Sequence, residues 1–74
     1  MRTYIVFDDS DLDNIELLDP SFLPDVGDEI TIKDKELTKK IVMVTKVEKI
    51  LIKEGKNADV VVNIHVKSIK IYAD

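Results

Sequence analysis

The amino-acid sequence predicts a small all-β domain, an antiparallel barrel of five or six short strands, and three observations carry that prediction. Where apolar residues are densest they recur at every second position. Gly, Pro, Asn and Asp punctuate the gaps between those stretches. None of the apolar runs is long enough to make a useful helix.

Taken in order, residues 4–7 (YIVF) form a β-rich run dense enough to be covered on both faces. Residues 13–18 come next. Ile15 and Leu17 share a parity that Leu18 opposes, and Pro20 bars a helix from continuing, so a second strand is read here ahead of a helical turn capped by Asp13 or Asn14. After Pro24, the turn Val26-Gly27-Asp28 launches a strand in which Ile30 and Ile32 alternate with Glu29, Thr31 and Lys33. Lys33-Asp34-Lys35-Glu36 reads as a polar hairpin. In residues 41–53, Val42 and Val44 share a parity with Ile50 and Ile52, while Val47 is out of phase and Lys46 and Glu48 interrupt the pattern. One extra residue near 45–49, a bend or bulge, re-aims the second half of such a strand. Glu54-Gly55-Lys56-Asn57 is a stronger hairpin signal, since Gly55 and Asn57 tolerate positive φ. Val60, Val62, Ile64 and Val66 alternate most cleanly of all. The parity then switches in residues 67–72, which predicts a tight turn and a short last strand.

Length and composition bound the rest. Seventy-four residues, 45% apolar and 35% charged, suit one foldable domain spanning 1–74. No apolar run approaches the roughly 20 residues that a membrane helix requires. The first residues lack the apolar stretch of a secretory leader and the chain has no cysteine, so a cytoplasmic location is expected. A domain this small buries only about 60% of its unfolded surface. Without a disulfide, self-association is the available extra stabiliser, and Val61, Ile41 and Met43, apolar on the faces opposite the core, fit a homo-oligomer.

In residues 22–32 (FLPDVGDEITI), 41–44 (IVMV) and 60–66 (VVVNIHV), the pattern resembles small SH3-like barrel proteins of phages and mobile elements. The resemblance covers residues 22–66 and implies an SH3-like barrel and a phage-like source. It transfers no functional residue, because most such proteins have no assigned activity, and it leaves the acidic segment 8–19 outside.

That segment is the most distinctive surface. Residues 1–32 hold nine acids against Arg2 alone, and residues 33–74 hold ten Lys against six acids. Asp9, Asp11 and Asp13 alternate like the first ligands of a calcium loop, yet Asn14 stands where that loop needs Gly and Pro20 where it needs its bidentate Glu. No metal and no cofactor is therefore expected. Asp8, Asp9, Asp11, Asp13, Glu16 and Asp19 are instead read as a partner-binding surface.

The remaining candidates are weaker. His65 is the sole histidine, its in-phase neighbours Asn63 and Lys67 are polar, and Ser10, Ser21 and Ser68 sit in no nucleophile motif, so no enzyme is expected. Lys39, Lys40, Lys46, Lys49, Lys53, Lys56, Lys67 and Lys70 suggest a basic stripe. Only Tyr4, Phe7, Phe22 and Tyr72 are available to stack bases, the first three are expected in the core, and a net charge of −4 opposes nucleic acid.

By subtraction, the expected function is that of a non-enzymatic binding protein that docks on a protein partner. What the resemblance adds is that such a protein would be a phage or mobile-element accessory, one role of which would be to inhibit a host factor. If that partner binds nucleic acid, segment 8–19 imitates phosphate charge. The alternative is an oligomer that sequesters a small nucleotide or metal between subunits.

Overall fold

Strand formation follows the period-two pattern along the whole chain. The computed structural model describes residues 1–18, 23–35 and 38–73, the side chains of Thr38 and residues 71–73 excepted; Asp19, Phe22 and Glu36 lie outside the described residues. It contains β1 (Arg2–Phe7), β2 (Ile15–Leu17), β3 (Glu29–Lys33), β4 (Thr38–Glu54) and β5 (Asn57–Ala73). All five join one sheet in the order β2-β1-β5-β4-β3.

The two long strands form a single hairpin that is the backbone of the fold. Glu54 pairs with Asn57 across Gly55 and Lys56, and Gly55 takes φ +61°, as the tight turn demands. Two irregularities bend this hairpin. Val44 pairs with Val66 and Lys46 with His65, which leaves Thr45 as the extra residue, its hydroxyl donating to the His65 carbonyl at 3.2 Å. Val47 is thereby turned to the side of Val44, opposite Ile64, while Ile50 and Ile52 pass to the other face. The expected bulge is present.

The second irregularity corrects an expectation. Val42 pairs with Ser68 and Ile41 with Lys70, so Ile69 is bulged out of a β5 that continues to Ala73. The parity switch after Val66 records a bulge within one strand, where a turn and a separate strand were expected. A bulge and a turn both shift alternation by one, so parity alone does not separate them.

Two further differences concern topology. Most ladders are antiparallel, but β1 and β5 pair in parallel, from Arg2 opposite Val61 to Phe7 opposite Val66. Three strands intervene in sequence between β1 and β5, so their pairing is set by a long crossover and not by a hairpin. The sheet is also not a closed barrel, since β2 and β3 remain at its two edges. Residues from both edges nevertheless line one groove, which shows that the sheet curls into a half-barrel. With three residues, β2 is too short to do more than pair with β1.

Inside the curl, Ile5, Phe7, Val42, Val44, Val62, Ile64 and Val66 form the core, with Leu17, Ile30, Ile32, Val47 and Val60 packed against it. Thr3 is buried beside them and its hydroxyl has no hydrogen-bond partner among the described residues. Tyr4, expected in the core with Phe7, lies on the outer face and is half-buried, because its register partner Asn63 points outward.

The molecule is elongated, 50 × 24 × 24 Å, and its radius of gyration of 13.8 Å exceeds the ~11 Å of a compact chain this long. β1 begins beside Val61. Beyond that point, residues 51–54 and 57–60 continue as a two-stranded arm that no third strand flanks among the described residues. An ion pair between Arg2 Nη2 and Asp59 Oδ2 at 3.1 Å ties down its base.

Candidate functional site

The loop that joins β1 to β2 carries most of the predicted acidic surface, and strand register determines which of its carboxylates remain available. The backbone N–H of Asp8 donates to the Val66 carbonyl at 3.2 Å, extending the β1–β5 ladder by one residue. Asp9 Oδ2 accepts the Ser68 N–H at 2.9 Å, so a carboxylate takes the place of the next strand partner just before the Ile69 bulge. The loop is thus held to β5 at its start. Leu12 N–H then reaches Ser10 Oγ at 3.4 Å.

Asp8 has a second task on the outer face. Its two carboxylate oxygens lie 2.9 and 3.1 Å from His65 Nδ1, and His65 Nε2 lies 3.5 Å from Glu48 Oε1. Glu48 also accepts from Asn63 Nδ2 at 3.4 Å and sits 3.8 Å from Lys46 Nζ. The hydrogen bond that the His65 ring donates to Asp8, and after it the one to Glu48, raises the His65 pKa above its ordinary value against the opposing effect of burial. Glu48 is held below its ordinary value, first by Asn63 and then by His65. This cluster clips loop, β4 and β5 together across the convex face. His65 was expected to be an outward-facing strand residue; it does face outward, and it is the hub of these contacts.

On the concave side, Phe7, Leu12, Asp13, Ile15, Ile32, Asp34 and Lys40 line an open groove of about 360 Å³. β1 supplies Phe7, β2 and its loop supply Leu12, Asp13 and Ile15, and β3 with the residue after it supplies Ile32 and Asp34. Lys40 shares its parity with Val42, which turns it inward, and its ammonium lies 5.5 Å from the Phe7 ring centroid.

The six residues predicted to meet a partner therefore separate. Asp8 and Asp9 are engaged by β5, Asp13 lines the groove, and Asp11 and Glu16 are exposed. Asp19 lies outside the described residues. Among the described residues, no three His, Cys, Asp or Glu side chains are placed to hold a metal ion. The supposed basic stripe also divides at Thr45: Lys46 faces Glu48 on the outer side, while Lys49 and Lys53 share the inner side with Leu51. No helix of the described residues is long and apolar enough to cross a membrane. Neither a family model, nor a curated protein, nor a solved structure matches this chain.

Proposed function

We propose that this chain is a non-enzymatic docking protein on an unclosed SH3-like barrel, an accessory of a phage or mobile element that engages a basic surface of a protein partner. One observation carries the reading. With Asp8 and Asp9 committed to β5, Asp11 and Glu16 stay exposed on a short loop and edge strand that are anchored by main-chain and carboxylate hydrogen bonds. A fixed acidic edge steers and orients a basic partner without needing to change shape.

The test is affinity capture from host lysate with the wild-type chain and with Asp11→Asn/Glu16→Gln. The double variant is expected to lose the captured protein, and wild-type binding is expected to weaken with salt. Equal capture by both, or turnover of a substrate by the purified chain, contradicts the reading. A second reading, a nucleotide held between subunits, draws on Lys40 over Phe7 in the groove. Asp13 and Asp34 on the same walls oppose a phosphate. Under the docking reading, a nucleotide panel leaves the melting temperature unchanged, whereas a ligand at 100 times its Kd adds about 2.7 kcal/mol.

A further inference from the structure

The arm and the groove each leave apolar surface uncovered, and they complement one another. An isolated two-stranded ribbon is marginal in water. This one nevertheless carries Leu51 at 70% exposure, with Ile50 and Ile52 partly exposed on its other face. The pairings of Lys49 with Val62, Leu51 with Val60 and Lys53 with Ala58 place Lys49, Leu51 and Lys53 in one row on the concave side. The groove presents the converse pattern. Its apolar lining includes Leu12 at 46% and Ile15 at 36% exposure, and Asp13 stands among them.

Geometry and area both select a second copy of the chain as the occupant. Leu51 stands level with Val60 and Phe7 level with Val66, six residues or about 20 Å apart along β5. A two-fold axis at the level of Asn63 exchanges those positions, so one rotation brings each arm over the other copy's groove and the assembly closes. The surface area of 5643 Å² exceeds the ~4,600 Å² of a compact monomer of 8.4 kDa by about 1,000 Å², close to the ~800 Å² that each partner buries in a standard interface.

We propose that two copies dimerise with concave faces opposed and strands antiparallel, Leu51 of each arm entering the other's groove between Leu12 and Ile15 while Lys49 and Lys53 meet its acidic wall at Asp13. This proposal stands apart from the acidic edge above, which uses Asp11 and Glu16.

The full chain has no cysteine, so single introduced thiols report contacts directly. Sedimentation of the wild type across a concentration series is expected to show a dimer. Leu51→Asp, at an exposed position, is expected to weaken dimerisation at least a hundredfold with an unchanged far-ultraviolet circular dichroism spectrum. Asp13→Lys is expected to weaken it tenfold or more, and Lys49→Asp/Lys53→Asp in that background to restore it. Mildly oxidised mixtures of Leu51→Cys and Ile15→Cys chains should cross-link to each other faster than either does to itself. A monomer at every concentration, a dimer indifferent to Leu51→Asp, or Leu51→Cys chains coupling chiefly to one another through arm-to-arm pairing would each overturn the proposal.

Discussion

The same two strands behave differently at their two ends. In the body, β4 and β5 are flanked by β3 and β1, and Val42, Val44, Val62, Ile64 and Val66 are at most 1% exposed. In the arm, the pairing is equally regular but no strand of the described residues flanks it, and Leu51 is 70% exposed. Backbone hydrogen bonds are therefore present in both regions, and what distinguishes them is apolar coverage. Ladder pairing alone contributes little net stability, because the unfolded chain bonds to water instead. Burial of Val and Ile side chains stabilises the body, and the arm lacks it until something lies against it.

Substitutions at the two ends probe this contrast most strongly. Ile64→Ala should destabilise the fold by about 2–5 kcal/mol, through lost burial and a residual cavity, whereas Leu51→Ala in the dilute chain should stay within about 0.5 kcal/mol. Chemical denaturation of both variants measures the difference, and similar losses would erase the distinction between body and arm. At the tip, Gly55→Ala tests whether the arm is formed at all. A Cβ there meets nothing within 4 Å, so only the backbone at φ +61° resists it, at a cost of about 1 kcal/mol. The cost is read in concentrated solution, where a second molecule covers the arm, and shrinks on dilution; if the arm were unformed at every concentration, it would vanish.

Thr3 sharpens the account of the body. Its buried hydroxyl has no partner among the described residues, so Thr3→Val removes a desolvated polar atom at nearly constant shape. Stability is expected to rise by up to about 1 kcal/mol, read as a higher melting temperature. A lower melting temperature would mean that the hydroxyl is bonded.

The smallest expected effect is electrostatic. The pKa of His65 is raised in the fold, so its contribution is complete below the ordinary value of 6.5 and is lost as pH climbs through the higher folded value. Melting temperature should fall across that window, and Asp8→Asn should flatten the fall because Asp8 is the main cause of the shift. Glu48 acts in the opposite direction: its contribution is present above 4.5 and fades as pH drops through its lowered value. An unchanged pH profile in Asp8→Asn would remove His65 from its place at the centre of the convex-face cluster.

What could be read from the sequence was local. Val47, out of phase between Val44 and Ile50, signals the bulge at Thr45 without any tertiary information, and the alternation of residues 60–66 defines the core face of β5. The shared parity of Ile15 and Leu17, with Pro20 barring a helix, favoured a strand over a helical turn within residues 13–18, and the structure limits it to Ile15–Leu17. What escaped depends on registers between distant segments. The link between Asp8 and His65 spans 57 positions, and nothing near either residue announces it. The parallel β1–β5 ladder and the failure of β2 to reach β3 are long-range outcomes of the same kind. Lys40 was read only as part of a basic stripe, although its parity with Val42 was a local signal that would have put a charge on the apolar face. Of the candidate site, the acidic loop was visible in composition, while the groove required the curl of the sheet to bring Leu12 and Ile15 opposite Ile32.

Residue-resolved amide hydrogen exchange of the full chain, followed from dilute to concentrated solution, tests the central contrast most directly. Amides bonded across the hairpin at 42–44 and 62–66 should exchange only through global unfolding at every concentration. Those at 51–53 and 58–60 should exchange rapidly when dilute and become protected as the chain is concentrated. Equal protection along all of β4 and β5, independent of concentration, would contradict an arm that is stabilised only when a second molecule covers it.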